Sequence, residues 1–386
     1  MNSILYTSGN NFYVKTETDT VEYASEKIVS YCNTLKSIAR RNEWKTSGAG
    51  AKFMNSYSPG FDENDAKRDT SINGVSAIGG EVIYSASFGE VSGIFRKALQ
   101  KNLAEGLVRS SRDMRIYRLC AHGDKCAASI GDRLERHIAI FDIESGSYNE
   151  LTEGEVQEDY PSYSKDGGRI FYSSAGLALS GEGIPLSVGP FGICSYNVET
   201  NGLDELLVSD KFDYIAPKED AKNNLLFIKR PYRNAESGGG NILLDLLLFP
   251  VRIIKAIGGL LNYFSIIFGG ESLRTGKTAK DVKAKPMSEK DLFIDGNVIN
   301  AQQMLKENQR RGEKNPGIIP HSWELIRMDE DGDQKCIKKG VLDFTICANG
   351  DIVYSNGAAI IRLLSDGGEQ LLEKCRMACN LIELQE

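Results

Sequence analysis

Residues 166–174 read DGGRIFYSS, a turn-forming triplet that runs straight into a short strand-forming one. Close variants return as GGEVIYSAS at 79–87, NGDIVYSNG at 349–357 and NSILYTSG at 2–9. In each, Gly, Asn or Asp precedes a run rich in Ile, Val and Tyr, which is strand chemistry bounded by turn chemistry. Tyr84 and Tyr172 are separated by two periods of about 44 residues, a length typical of four-stranded propeller blades. Midway between them, around Ala128, DKCAASI carries the same turn and a small-residue version of the strand.

Working outward from each phrase, a further strand follows: SGIFRKAL (92–99), RHIAIFDI (136–143), FGICSYNV (191–198) and AAIIRLLS (358–365). A more polar outer strand comes next, as in SYNELTEG and GLDELLVS. An innermost strand precedes each phrase, for example RIYRLCAHG (115–123) or EDYPSYSKDG (158–167). At the N-terminus SILYTSG, NNFYVKT and TVEYAS supply second, third and fourth strands without a first, and NLIELQE (380–386) has no partners of its own. Closing one blade from both termini removes exposed sheet edges.

The stretch YPSYSKDGGRIFYSS (160–174) resembles the blade signature of the TolB-like β-propeller family, with WD-repeat-like blades: an inner strand ending in Pro-x-Trp/Tyr-Ser-x-Asp-Gly, then a buried strand. CAHGDK (120–125) and CANGD (347–351) keep the turn and lose the proline and aromatic. The resemblance implies the fold over most of the chain and transfers no active site, because the family is defined by its scaffold.

The expected architecture is therefore all-β, a seven-bladed propeller with six blades as the alternative. Residues 2–24 and the C-terminal strand form the closing blade, a weakly patterned blade occupies 26–70, and blades follow at 71–111, 112–153, 154–209, 210–340 and 341–378. The sixth blade is interrupted between NNLLFIKRPY (223–232) and HSWELIRMD (321–329). This divides the chain into propeller segments 1–232 and 321–386 around an amphipathic helical insertion at 233–320.

The insertion opens with a flexible ESGGG and continues NILLDLLLFPVRIIKAIGGLLNYFSIIFGG (241–270). On a helical wheel Asp245, Arg252, Lys255 and Asn262 share one side, leaving an apolar face wider than that of an ordinary surface helix. Pro250 and Gly258-Gly259 break the segment into short helices. Three roles compete for it: packing on the propeller or between copies of the chain, docking another protein, or lying at a membrane surface, helped by the basic tract RTGKTAKDVKAK. A transmembrane span is disfavoured, since each central charge costs about 2.5–3.5 kcal/mol on insertion scales. The expected contact anchors are Leu246, Leu247, Phe249, Ile253, Leu260, Phe264 and Ile267. Beyond Pro286, residues 297–315 read as a polar surface helix.

With 386 residues, 41% hydrophobic and 26% charged, the composition is that of a soluble globular protein. The net charge of −7 disfavours nucleic acid as a partner. The N-terminus lacks the basic and apolar regions of a signal peptide, so a cytoplasmic protein is expected, with peripheral attachment at the inner membrane face as the variant. The eight cysteines lack C-x-x-C spacing and are expected to be free.

Motifs for chemistry fail on counting. GGESLRTGKT (269–278) has Glu271 where a phosphate-binding loop needs its first glycine. DEDGDQKC (329–336) lacks the closing Glu of a calcium loop and reads as an acidic hairpin turn. ALSGEG (178–183) has Ala178 in place of the first glycine of a nucleophile elbow, and none of His122, His137 and His321 has a catalytic setting. The expected function is thus a non-enzymatic protein-binding scaffold or assembly subunit, without cofactor or metal, with a protein partner and a homo-oligomer or membrane surface as further contacts. The rival is a channel-centred, metal-dependent hydrolase or small-ligand binder.

Overall fold

A computed structural model describes residues 3–46, 69–99, 104–181, 185–232, 291–294 and 297–384. The chain divides into two compact units, Met1–Tyr232 with Ala301–Glu386, and Arg233–Asn300.

In chain order the first unit begins with β1 (Ser3–Ser8), β2 (Asn11–Lys15), β3 (Thr20–Ala24) and helix α1 (Glu26–Thr46). It continues with β4 (Thr70–Ile78), β5 (Glu81–Phe88), β6 (Val91–Ala98), β7 (Gly106–Ser111), β8 (Arg115–His122), β9 (Lys125–Gly131), β10 (Arg136–Asp142) and β11 (Tyr148–Glu150). Next come β12 (Val156–Tyr163), β13 (Arg169–Leu179), β14 (Pro185–Val188), β15 (Gly192–Asn197), β16 (Leu203–Leu207), β17 (Phe212–Glu219) and β18 (Leu225–Pro231). The second unit contributes a hairpin, β19 (Asp291–Ile294) and β20 (Asn297–Asn300), in which Leu292 pairs with Ile299. The first unit resumes with α2 (Ala301–Arg310), β21 (Glu324–Met328), β22 (Gln334–Lys339), β23 (Asp343–Ile346), β24 (Ile352–Ser355), β25 (Ile360–Leu363), β26 (Glu369–Glu373) and β27 (Cys379–Leu384).

The strands form antiparallel meanders. Four stand alone as four-stranded sheets, β27-β1-β2-β3, β4-β5-β6-β7, β17-β18-β21-β22 and β23-β24-β25-β26. A nine-stranded sheet joins two more meanders, β8 to β11 and β12-β13-β15-β16, through a parallel bridge between Arg136 of β10 and Gln157 of β12. The C-terminal strand β27 pairs with β1, Ile382 against Leu5, so one blade is built from both ends of the chain.

The first strand of each meander is innermost, and these strands neighbour one another in the order β27, β4, β8, β12, β17. The Lys218 ammonium then bonds the Phe344 carbonyl of β23, and β23 returns to β27, completing the cycle. Second strands supply most of the core. Tyr84, Ala128 and Tyr172, the residues that set the period, are all fully buried. At Gly74 the inner strands come so close that a Cβ would lie 2.6 Å from the Leu119 nitrogen of the next blade.

Two expectations are corrected. The seven-blade count does not hold, because the segment given a blade of its own at 26–70 forms α1 over Glu26–Thr46 instead. There Ile28, Tyr31, Cys32, Leu35 and Ile38 recur at helical spacing, Ser25 Oγ accepts the Ile28 amide, and a Glu105 carboxylate accepts the Lys27 amide at 3.2 Å. The helix expected at 297–315 starts only at Ala301, since Asn297–Asn300 alternates buried and exposed residues and pairs as β20. Nor does it lie wholly on the surface: Asn308 is buried, its amide donating to the carbonyls of Gly317 at 2.9 Å and Ile319 at 3.2 Å. All eight cysteines are free.

Candidate functional site

In these meanders the first-to-second and third-to-fourth connections fall at one end of the strands. Among the described residues this end is made of tight turns, such as Gly79-Gly80, Gly123-Asp124 and the acidic Asp329–Asp333 turn of β21-β22. The turn at 164–168 shows its chemistry: Ser164 Oγ donates to Asp166, Asp166 accepts the Gly168 amide, and Gly167 takes a φ of 75°. The second-to-third and blade-to-blade connections fall at the opposite end, and every long excursion leaves from there. They are 25–69 with α1, 180–191 with β14, and the path from Tyr232 that returns before β21. Loops on a rigid scaffold are where binding residues concentrate.

At this elaborated end an ion and aromatic cluster joins β8, β10 and β12. Asp159 Oδ2 accepts Nη1 of both Arg118 and Arg136, each at 2.9 Å. Its Oδ1 accepts the Tyr160 amide at 2.9 Å. Each guanidinium lies over a tyrosine ring, Arg118 3.9 Å from the Tyr160 centroid and Arg136 3.7 Å from that of Tyr117. Tyr160 sits at a bulge in β12 with a φ of 59°. The Tyr117 hydroxyl donates to the Asp132 carbonyl, and Arg136 Nη2 donates to the Arg133 carbonyl at 3.2 Å, tying the cluster to the loop between β9 and β10.

The neighbouring Glu158 is buried and lies in a polar seam between the two joined meanders. It accepts the Thr152 hydroxyl and, at 3.4 Å, the Ser174 hydroxyl. Burial pushes its carboxyl above the ordinary carboxylate range, against the opposing effect of the Thr152 hydrogen bond and of nearby His137. His137 Nδ1, the Tyr172 hydroxyl and the Ser173 hydroxyl are buried without a hydrogen bond.

Serines stitch two of the second strands, β5 and β9, to the next inner strand. Ser85 Oγ donates to the Tyr117 carbonyl and Ser129 Oγ to the Glu158 carbonyl at 2.5 Å. With Ser173 they repeat at the same interval as Tyr84, Ala128 and Tyr172, a signal in the sequence that the aromatic spacing overshadowed.

The three histidines stay apart. His122 packs on Tyr163 with ring centroids 5.4 Å apart, His137 meets Glu135 at 3.2 Å, and His321 contacts Glu313. Burial pushes the Cys194 thiol up to about 11 and the Cys347 thiol up to about 12, which suppresses thiolate formation. Among the described residues no group of three or more His, Cys, Asp or Glu is placed to hold a metal ion. The expected anchors Leu246, Leu247, Phe249, Ile253, Leu260, Phe264 and Ile267 lie outside the described residues. The arginine, tyrosine and aspartate cluster at this end has no counterpart among the expected site residues. Its members come from three strands: Tyr117-Arg118 and Asp159-Tyr160 are adjacent in sequence, whereas each arginine stacks on a tyrosine of another strand.

No sequence-family profile matches the chain, and no curated protein does. Solved structures do. TolB from Acinetobacter baumannii is 10% identical, with 98% of this chain and 66% of that chain covered and a TM-score of 0.50. A chain of a nidogen/laminin complex is 8% identical, with 99% and 97% covered and a TM-score of 0.50. A TolB protein from Agrobacterium tumefaciens is 17% identical over 61% of this chain and 68% of that one, with a TM-score of 0.37. The chain thus spans just under two thirds of the first of these. The fold is that of a β-propeller of the TolB-like type.

Proposed function

We propose that the protein is a non-enzymatic binding scaffold that presents the elaborated end of its propeller to a protein partner. The observation that carries this reading is the segregation of all three long excursions to one end of the strands, opposite an end of tight turns. The likeness to a propeller solved in a nidogen/laminin complex supports a protein partner at the level of fold. The sequence adds contact anchors on the 241–268 segment, Leu246, Leu247, Phe249, Ile253, Leu260, Phe264 and Ile267, whose apolar surface calls for a covering partner. A cytoplasmic location goes with this reading.

The second reading is attachment to the inner face of a membrane, favoured by Arg252, Lys255 and the basic tract after the apolar segment. No helix among the described residues is long and apolar enough to cross a membrane. Light scattering and co-sedimentation with anionic liposomes, applied to the full chain and to a variant with Leu246, Phe249, Ile253 and Leu260 changed to Ser, separate the two. Self-association or partner binding lost in the variant supports a protein contact. Lipid pelleting lost in the variant supports the membrane, and no change in either property removes the anchors from the site. A stoichiometric metal in the purified protein would instead favour the channel-centred enzyme.

A further inference from the structure

We infer that β16, the outer edge of the nine-stranded sheet, is a docking strand that takes up an extended basic and aliphatic segment of a partner protein. The contact goes beyond the reading above, since it lies on the rim of a blade and involves neither the long excursions nor the 241–268 segment. The open edge is the first reason. β16 ends its sheet and pairs only with β15 among the described strands, so its outer backbone groups are a template for another strand. Leu207 anchors it from within, packed on the buried cluster of Phe171 and Ile193. Leu203, Leu206 and Val208 are 54%, 37% and 60% exposed. With Val198 they make four of the twelve large apolar side chains exposed among the described residues, all within 198–208. Such clustering, unlike single scattered residues, marks a contact surface.

Charge selects the occupant. Residues 198–210 hold four acids, Glu199, Asp204, Glu205 and Asp210, and no base. Asp204 and Glu205 stand on β16 itself, both exposed, and neither forms an ion pair among the described residues. A second β16 brought to this edge sets acid near acid, which works against self-pairing. Lys or Arg on an incoming strand meets the acids favourably, while its aliphatic residues cover Leu203, Leu206 and Val208. Main-chain hydrogen bonds then supply affinity and the flanking side chains supply specificity.

The contrast with other outer strands is the third reason. β11 is only three residues long, and β22 carries Lys335, Lys338 and Lys339. Short length and lysines guard an edge against pairing, and β16 has neither. The lysine-rich β22 of a second copy is the rival occupant. Two of its three lysines are engaged within their own chain, Lys338 with Glu369 at 2.5 Å and Lys339 with Glu324 at 2.9 Å, which leaves a foreign strand as the better match.

The test uses the full chain and a fluorescein-labelled peptide with a central Lys-Lys flanked by valines, read by anisotropy at physiological ionic strength. A second peptide, N-methylated at alternate backbone nitrogens, keeps every charge and loses ladder donors. Saturable binding is expected, weakened at least about tenfold by N-methylation and by Asp204→Lys combined with Glu205→Lys, and less than about twofold by Glu90→Lys. Glu90 is an exposed acid in the turn between β5 and β6 and serves as the charge control. Equal binding of the N-methylated peptide would reduce the effect to electrostatics and overturn the inference. So would equal loss in Glu90→Lys, or no saturable binding. If the double variant fails to fold by circular dichroism, the two peptides on the unaltered chain still decide. Light scattering separates the rival: self-association that Leu206→Lys abolishes would give the edge to a second copy and overturn the partner strand. Failure of the peptide test leaves the scaffold reading standing, because that reading is tested on the 241–268 anchors.

Discussion

Replacing Asp159 by Asn is the most informative perturbation of the fold. The carboxylate is 4% exposed and contacts two guanidiniums at 2.9 Å, whose side chains are 30% and 15% exposed. At an effective dielectric near 20 each contact is worth roughly 5–6 kcal/mol of attraction before desolvation. Desolvation offsets most of that, and breaking a buried pair by removing one partner typically costs about 3–5 kcal/mol. The partial exposure of Arg118 lets water recover part of the loss, which brings the expected destabilisation of Asp159→Asn to about 2–4 kcal/mol. The triple change Arg118→Met, Arg136→Met, Asp159→Leu removes charge and countercharge together, and is expected to recover most of the loss. Urea denaturation followed by tyrosine fluorescence and far-UV circular dichroism measures both. A shift below about 0.5 kcal/mol for the single change would show that the cluster is solvated rather than a buried junction, and refute the reasoning.

The Glu158 carboxyl is raised by burial, so its native-state pKa lies above the unfolded value of 4.5. The native state therefore holds the proton longer; stability is fully present below pH 4.5 and falls as pH rises through the native value. Glu158→Gln should flatten that fall in melting temperature measured from pH 4 to 8, and an unchanged slope would refute it. Ser129→Ala leaves the buried Glu158 carbonyl without its donor and should cost about 1–3 kcal/mol, whereas Ser173→Ala, whose hydroxyl has no partner, should be near neutral. Gly74→Ala drives a Cβ to within 2.7 Å of the Arg118 backbone and should lower the denaturation midpoint by about 1–3 kcal/mol in free-energy terms. Leu381→Ala, in the strand that closes the ring, should cost about 2–5 kcal/mol, and removal of 379–384 should abolish cooperative melting.

Much of this architecture is readable from residue order because a blade repeats one local bargain between turn and strand. DGGRIFYSS, GGEVIYSAS and NGDIVYSNG each fold where the pattern predicts, and the orphan NLIELQE pairs with SILYTS as expected. The blade expected at 26–70 does not form over Glu26–Thr46, where the weak strand alternation is in fact a helix pattern. Ile28, Tyr31, Cys32 and Leu35 share one helical face, and Ser25 with Glu105 caps the first turn. Glu105 is far away in sequence, so half of that cap is invisible locally. In the 297–315 stretch four residues of strict alternation were enough to make a strand before the helix began.

The Arg118, Arg136 and Asp159 cluster was illegible for a different reason. Inner strands are bulged, and a bulge breaks the period-two rule that assigns side chains to faces. The register shifts between Ile116 and Leu119 in β8 and between Asp159 and Ser162 in β12, which is where Tyr117, Arg118 and Tyr160 sit. The same irregularity falls between Ile72 and Gly74 in β4 and between Ile215 and Lys218 in β17, so it recurs in the inner strands of four blades. Alternation therefore identifies a blade well and its inner-strand side chains poorly. Since inner strands line the centre of a propeller, the residues most exposed to a ligand there are those that sequence periodicity places least reliably. The residues at the irregularity differ from blade to blade, Asn73, Tyr117, Tyr160 and Ala216, while antiparallel pairing resumes on either side, so the blade outline is kept where the side chains at the bulge change.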